Sequence, residues 1–254
     1  MKKPDDPFDS PKRQLKRGKL YIERLRKRFL TFLDKVSHTQ VIEQHPNGRD
    51  SVVKIVFNMR IPVGFDETAY MAIDAIRSAL DQTGYAAAVA GGKVKPKKAY
   101  FPIADSPSEL EGNITKRRIC ADIPDEVVAV FRSFSPYKGG NDTLWALNKL
   151  RQAFHTSIIP TMMSAGGFRL TKADIVGGYI YIPEYDADKN EIILARLKPG
   201  GTFEYDGAVA LTITFDEIDF LKGIPIFGPL GAMADEVAQV LSRTETECRR
   251  IGII

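Results

Sequence analysis

The chain has 254 residues, of which 44% are hydrophobic and 27% charged, a composition typical of a globular protein with a sizeable core. It has no run of eighteen apolar residues, and its charged N-terminus lacks the apolar stretch of a secretory signal, so we expect a cytoplasmic protein without a membrane span. Cys120 and Cys248 have no histidine or cysteine at metal-ligand spacing. We therefore predict no disulfide framework, no metal site and no cofactor.

Positive charge is concentrated at the N-terminus. Residues 1–36 contain twelve Lys and Arg against five Asp and Glu, a net charge of +7, whereas the rest of the chain has a net charge of −3. This asymmetry predicts that the basic end contacts something acidic, which is nucleic acid, an anionic membrane surface or the protein's own acidic body. A solvated helix face without a ligand is the alternative.

The first element is predicted to be a long amphipathic helix. Residues 1–10 are rich in Pro and Asp and are expected to be flexible, and Ser10-Pro11 has the pattern of a helix start. The helix, over about residues 11–36, would pack on a bundle or on a partner helix through apolar residues at every seventh position: Leu15, Ile22, Phe29 and Val36. Its other faces carry six candidate binding residues: Arg13, Lys16, Arg17, Arg24, Lys27 and Arg28.

A β-hairpin and a second helix follow. The β-branched runs Thr39–His45 and Ser51–Phe57 are joined through Asn47-Gly48, which favours a type I′ turn. Apolar periodicity then predicts a helix over about residues 66–89, ended by Gly91-Gly92. Arg77 and Asp81 are spaced i,i+4 on this helix, which is typical of a surface ion pair.

The loop after the second helix combines basic and aromatic residues. Lys95, Lys97 and Lys98 precede Tyr100 and Phe101. Cationic and aromatic side chains together suit single-stranded nucleic acid, because phosphates and unstacked bases need these two kinds of contact. The alternative interpretation is an exposed linker.

The remaining pattern changes from helical to alternating. One or two short helices are predicted within residues 108–134, followed by a helix over Asp142–His155 and a helix over about 229–250. Between the last two helices lie four predicted strands: Phe168–Ile175, Tyr179–Ile182, Asn190–Leu197 and Phe203–Asp219.

The summed pattern predicts an α+β fold, namely a helical bundle with long N- and C-terminal helices and an antiparallel β-meander packed against it. A single domain is expected over residues 11–254. Its predicted parts are a helical part over about 11–165, the meander over about 167–221 and the closing helix over about 229–250.

The Asp142–His155 helix carries the strongest hint of chemistry. Arg151 falls within its apolar face, and Asn148 and His155 border that face. A guanidinium aimed at a core needs an anion or a carboxylate there, because an unpaired buried charge is costly. In one hypothesis Asn148, Arg151 and His155 form one site, in which Asn148 helps to bind the ligand, Arg151 binds its phosphate and His155 is the general acid or base in metal-independent RNA cleavage. In the alternative, Arg151 bridges a carboxylate such as Asp74 or Asp81.

The segment Asp186–Asn190 begins like a calcium-binding loop, with oxygen ligands at alternate positions. It has Glu191 where that loop needs Gly and Leu197 where it needs Glu. A charged hairpin turn is therefore predicted at this place.

Several stretches resemble a family of uncharacterised bacterial proteins with no assigned activity. The stretches are Phe8–Pro11, Ile76–Asp81, Tyr85–Ala87, Tyr100–Pro102, Pro136–Leu150 and Pro199–Tyr205. In that family the Trp-containing helix tends to continue into an Asn…Lys-His-Arg run, of which this chain keeps His155 in Gln152–Thr156. An Arg and a His on one helix of a bundle is also similar to the HEPN group of nucleotide-binding and RNA-cleaving domains. That group has four to six residues between the Arg and the His, whereas three separate Arg151 from His155.

Two function hypotheses follow from the sequence. In the first, the protein binds RNA or another polyanion through its basic N-terminal helix, with weak ribonuclease chemistry at Arg151 and His155 as an addition. In the second, it is a non-catalytic interaction or structural protein that forms a homodimer through the heptad face of the same helix.

Overall fold

The computed structural model describes residues 6–60, 62, 64–156, 161–181, 185–186, 188–215 and 221–254, and for 154–156, 161–173 and 206–210 it describes the backbone alone. Within these residues the fold contains six helices and a five-stranded antiparallel sheet, which confirms the α+β prediction. The helices are α1 (Asp9–Leu33), α2 (Phe65–Ala90), α3 (Pro107–Thr115), α4 (Asp125–Ser133), α5 (Asp142–Thr156) and α6 (Phe227–Arg250). The strands are β1 (His38–Gln44), β2 (Ser51–Phe57), β3 (Thr161–Ile180), β4 (Tyr185–Asp186) and β5 (Glu191–Phe215).

The chain divides into two compact units. A helical unit comprises Met1–Leu25, Glu67–Ile158 and Phe227–Ile254, and a sheet unit comprises Arg26–Asp66 and Ile159–Ile226. The expectation of a single domain stays a prediction. The division differs from the predicted order of parts, because the first hairpin joins the sheet formed by the later strands.

Helix α1 begins two residues earlier than the sequence pattern predicts. Phe8 is fully buried, its carbonyl accepts the first helical hydrogen bond from Lys12 N at 3.2 Å, and its own amide donates to the Asp6 carboxylate at 3.0 Å. Ser10 therefore lies in the first turn instead of capping it. Residues 6–10, expected to be flexible, are held by this packing and capping.

The heptad face of α1 is buried in the protein's own structure. Within the helical unit, Leu15, Ile22 and Leu25 are buried, and in the sheet unit Phe29 and Phe32 are buried as well. Leu15, Ile22 and Phe29 are three of the four heptad residues through which the second hypothesis would build a homodimer, and the fourth, Val36, is half-buried. A dimer of that kind would require α1 to leave its core, which disfavours this alternative.

Gly18 sets how closely α1 approaches α2. A Cβ atom added there would lie 2.6 Å from the Ile76 Cγ1 atom and 3.4 Å from the Ala72 carbonyl oxygen. Further along, the Ser10 hydroxyl donates to the Gln82 Oε1 atom at 2.8 Å. The two helices therefore run antiparallel, with the smallest side chain at the crossing.

The helices end and pack largely as the sequence predicts. Gly92 has φ +86° after α2, and Lys93 N donates to the Ala88 carbonyl at 3.0 Å, as in a Schellman ending. Asn141 caps α5, since its Oδ1 atom accepts from Leu144 N at 3.1 Å. Helices α4 and α6 each bury one apolar face, formed by Val127, Val128 and Phe131 in α4 and by Met233, Val237, Val240 and Leu241 in α6.

The sheet departs from a simple meander. Its strand order is β1-β2-β5-β3, with β4 also paired to β5, so β2 lies beside a strand far along the chain. Two pairs of predicted strands are single long strands that bend at a shared bulge, where Lys198–Gly201 oppose Gly177 alone. Gly177 and Gly200 both have positive φ there, so the breaks between the predicted strands are positions of the bulge. Residues 182 and 216–219 of the predicted strands lie outside the described residues.

The first hairpin forms as predicted, but its turn type was predicted wrongly. Gly48 has φ +69°, whereas Asn47 is not among the positive-φ residues of the described chain, and Gly48 N donates to the His45 carbonyl at 2.8 Å. A type I′ turn needs positive φ at both central residues. The connection is therefore a tight turn closed at His45, followed by a left-handed glycine.

No helix in the described part of the chain is long and apolar enough to cross a membrane.

We expect Gly18→Ala to destabilise the protein, although alanine favours a helix by about 1 kcal/mol. The new methyl group would enter the α1–α2 contact, and overpacking of this kind costs roughly 1–3 kcal/mol. Gly231→Ala is the matched control, because that helical glycine has nothing within 4 Å of its Cβ position and should be neutral or stabilising. The measurement is the free energy of unfolding of both variants in urea. Equal changes in the two would contradict the role of Gly18 in the contact between α1 and α2.

Candidate functional site: a basic helix face and an arginine–aspartate network

One side of α1 is attached to α6 by ion pairs. Lys12 Nζ lies 2.8 Å from a Glu245 carboxylate oxygen, and Lys19 Nζ lies 2.8 Å from the Asp235 carboxylate. The hydrogen bond that Lys12 donates to the Glu245 carboxylate raises the pKa of Lys12 above its ordinary value. Part of the N-terminal positive charge is therefore neutralised by the protein's own acidic residues, which is one of the three partners that the charge asymmetry predicted.

Three other cations of α1 have no such partners. Arg13, Lys16 and Arg17 are exposed, and in the described residues no carboxylate lies within ion-pair distance of them. They line an open groove of about 670 Å³ together with Lys12 and Lys19, with Leu15, Leu20 and Glu23 of the same helix and with Leu241 of α6. We call Arg13, Lys16 and Arg17 the basic face.

The other cations predicted on α1 have different environments. The Arg24 guanidinium lies 5.7 Å from the Tyr21 ring centroid, a cation–π contact on the helix surface. In the sheet unit, Lys27 is exposed, whereas Arg28 donates to the Gly64 carbonyl at 3.0 Å and lies 5.0 Å over the Phe65 ring. Arg28 is thus held by its own chain, and its proposed role in ligand binding is not supported by this geometry.

Arg151 is bound by two carboxylates of α2. Its Nε atom donates to Asp74 at 3.1 Å and its Nη1 atom to Asp81 at 3.2 Å, with 30% of the side chain exposed. This pairing confirms the structural alternative in which Arg151 bridges Asp74 or Asp81. An anion at Arg151 would have to compete with both of them.

Arg77 belongs to the same network and is not a surface residue. It is 7% exposed, its Nη1 atom donates to Asp81, and its Nε atom donates to the Asn148 Oδ1 atom at 3.3 Å. The prediction of a surface pair is corrected here, because α5 covers Arg77 and supplies Asn148 as a partner. We call Asp74, Arg77, Asp81, Asn148 and Arg151 the arginine–aspartate network.

His155 lies in the last turn of α5, and its side chain falls outside the described side chains. The predicted catalytic pair of Arg151 and His155 therefore stays a prediction. Asn148, which was expected to bind a ligand, has its amide oxygen in use within the network.

The basic loop after α2 is firmly attached to the protein. Backbone amides of Lys97 and Lys98 both donate to the Asp122 carboxylate at 2.8 Å, which lowers the pKa of Asp122, with the Lys98 amide contributing most. Lys95 adopts a left-handed conformation with φ +55°, and all three lysine side chains are exposed. The stretch is thus an exposed loop whose backbone is held by Asp122.

The two aromatic residues of that loop point in opposite directions. Phe101 is buried, with its ring centroid 4.7 Å from that of Phe131, so the expectation that it contacts nucleic acid is wrong. Tyr100 is exposed, and so is Tyr85 on α2. Sequence reasoning missed Tyr85, although its spacing of four residues from Asp81 places it on the same stripe of α2.

Trp145 is the centre of the stretch that resembles a protein family, and its contacts hold α5 in position. Its indole nitrogen donates to the Asp105 carboxylate at 2.6 Å, which lowers the pKa of Asp105, and Lys149 pairs with the same carboxylate at 2.9 Å. Lys138 lies 5.2 Å from the Trp145 ring centroid. These contacts tie the start of α5 to the segment before α3.

The charged hairpin turn predicted at Asp186 forms between β4 and β5. The Asp186 Oδ1 atom accepts from the backbone amides of Asp188 and Lys189, both at 3.0 Å, so the carboxylate closes a charged turn. Among the residues that the structure describes, no group of three or more His, Cys, Asp or Glu side chains could hold a metal ion.

Comparison of the chain with protein-family models, with curated proteins and with solved structures returned no match. The resemblances drawn from the sequence therefore stay predictions.

We expect Asp81→Ala to lower the free energy of unfolding by about 3 kcal/mol, because it leaves the buried Arg77 guanidinium without its carboxylate. Asp74→Ala should cost less than about 1 kcal/mol, since Asp74 is more exposed and pairs with Arg151 alone. Urea denaturation of both variants gives the comparison. Equal losses of unfolding free energy in the two variants would show that the pairing of Asp81 with both arginines contributes no more than that of Asp74 with one.

The cysteines should be unreactive in the native protein. Burial raises the pKa of Cys120 to about 12 and that of Cys248 to about 11. At pH 8 the reactive thiolate is then at least a hundredfold scarcer than in an exposed cysteine. Iodoacetamide should label both residues only after unfolding. Rapid labelling of the native protein would contradict their burial.

The raised pKa values also predict how stability depends on pH. The thiols of the unfolded chain ionise at a lower pH than those of the folded protein, so the free energy of unfolding should fall as pH rises above about 9.

Proposed function

We propose that the protein binds RNA or a similar polyanion through the basic face of α1. The observation that carries this proposal is an excess of cations over carboxylate partners in one groove of α1. Lys12 and Lys19 line this groove and are paired with α6, whereas Arg13, Lys16 and Arg17 line it with no carboxylate of the described residues within ion-pair distance. Clustered cations without carboxylate partners, on a helix whose rotation is fixed by its packing, form a surface that suits a row of phosphates.

The attachment of α1 supports this role. Gly18 fits closely against α2, and Lys12 and Lys19 fix the helix to α6, so its rotation about its own axis is set. The basic face is therefore preorganised, and binding does not require ordering of the backbone. Phosphate contacts release counterions, so three cations predict a dependence of log K on log salt with a slope of about −2 for single strands.

We propose binding rather than RNA cleavage. Arg151 donates from Nε to Asp74 and from Nη1 to Asp81, so two carboxylates already hold its guanidinium and would repel a phosphate that approached it. Catalysis by a guanidinium requires donors that are aimed at the transition state and do not need to be released first.

Binding of a labelled single-stranded RNA, measured by fluorescence anisotropy from low to moderate salt, tests the proposal. Arg13→Gln/Arg17→Gln should weaken binding and reduce the salt slope by about 1.4, or about 0.7 for each lost contact. The matched control is Arg249→Gln/Arg250→Gln, which changes the net charge equally but removes arginines paired with Glu245 and Glu247. No binding by the native protein at low salt, or equal effects of the two double variants, would refute a role for this face.

A further inference from the structure

A second concave surface of the helical unit lies between α2 and the loop that follows it. This groove has a volume of about 280 Å³ and is lined by Asp81, Gln82 and Tyr85 from α2 and by Lys97 and Tyr100 from the loop, together with Pro96 and Ala99. We call it the tyrosine groove. Its volume is below the range typical of sites for drug-sized ligands, so it suits one small planar unit.

The two walls of the groove are held rigidly. A Cβ atom at Gly84 would lie 2.5 Å from the Ala99 carbonyl oxygen, so the loop is in direct contact with α2 at this position. Tyr100 N donates to the Ile119 carbonyl at 3.2 Å, and the Tyr100 carbonyl accepts from Cys120 Sγ at 3.2 Å. The backbone of each tyrosine is therefore fixed, one in a helix and one by these hydrogen bonds.

The tyrosine side chains themselves have no partners. Tyr85 is 46% and Tyr100 55% exposed, and neither makes a hydrogen bond or a ring contact with another described residue. Two aromatic side chains on fixed backbone segments that line one groove offer faces on which a planar ring can stack. Single exposed apolar residues are common, but two that line the same groove require a more specific explanation.

The polar groups of the groove indicate which chemical groups a stacked ligand must have. In the described chain the Lys97 amine has no acidic partner, so it is available for an anion. Gln82 receives the Ser10 hydroxyl on its oxygen, which leaves its amide N–H groups to donate to a heterocycle edge. Asp81 is fixed by Arg77 and Arg151 and has lone pairs left to accept from an exocyclic amine. A planar heterocycle with hydrogen-bonding edges and an attached phosphate is a nucleotide.

We infer that the tyrosine groove binds one unpaired nucleotide, with its base stacked on Tyr85 and Tyr100 and its phosphate at Lys97. The inference rests on the proposed function and narrows its ligand to single-stranded RNA, because bases inside a duplex are stacked and cannot enter the groove. Ser10 links the groove to the basic face, since it contacts Gln82 and lies one and two turns before Arg13 and Arg17 on the same stripe of α1. One strand can thus occupy both surfaces.

The test compares a single-stranded RNA, a duplex of equal length and a free nucleoside monophosphate on the native protein and on Tyr85→Ala/Tyr100→Ala. Loss of two stacking contacts should weaken single-strand binding at least about tenfold and leave duplex binding unchanged. Tyr85→Phe/Tyr100→Phe keeps both rings and should bind like the native protein. Tyr179→Ala is a control for removal of an equally exposed tyrosine, since Tyr179 is 49% exposed on the sheet unit. Thermal melting of each variant checks that the fold is kept.

The outcomes separate the two proposals. Salt-dependent binding that does not change in the double alanine variant would overturn the groove and leave the basic face standing. Equal weakening of single-strand and duplex binding would overturn it as well, because stacking acts on unpaired bases alone. If no RNA binds at any salt concentration but the monophosphate binds and is lost in the alanine variant, the basic face fails and the groove stands as a site for a free nucleotide. Failure of all three ligands on the native protein refutes both.

Discussion

The carboxylate of Asp81 is the interaction on which the arrangement of α2 and α5 depends. It accepts from Arg77 of its own helix and from Arg151 of α5, while Arg151 also reaches Asp74. Two cations and two anions balance, so two partly buried guanidinium groups can lie between helices without a net charge. A neutral network of this kind is expensive to break on one side, which gives the helix pair a defined register rather than additional stability.

The same network accounts for a difference between the two ends of one stripe of α2. The stripe of α2 that begins at Asp74 runs through Asp81 to Tyr85, from the contact with α5 to the tyrosine groove. At the Asp74 end the charged groups pair with each other, and at the Tyr85 end the aromatic ring and the Gln82 amide N–H groups have no partner among the described residues. The paired residues hold α2 in place, and this fixes the position of the residues that line the proposed binding groove.

The sequence predicted most elements because their apolar periodicities are local properties. The helices, the buried faces of α4 and α6 and the cap at Asn141 follow from spacing and side-chain type alone. What it could not predict depends on contacts between distant segments. Nothing near Arg77 in the sequence indicates that α5 will cover it, and nothing in Tyr100-Phe101 tells which ring turns inward. The bulge at Gly177 was likewise read as turns, because a glycine with positive φ serves both.

The positive charge at the N-terminus exceeds the carboxylates that are placed to neutralise it. A helix presents residues seven apart to the same neighbour, so Lys12 and Lys19 both meet carboxylates of α6, while Arg13, Lys16 and Arg17 line the same groove without a carboxylate partner among the described residues. Such a face attracts phosphates of any sequence, since backbone contacts position a strand without reading its bases. Discrimination between ligands requires a concave surface with edges and rings, and in the helical unit the tyrosine groove has both.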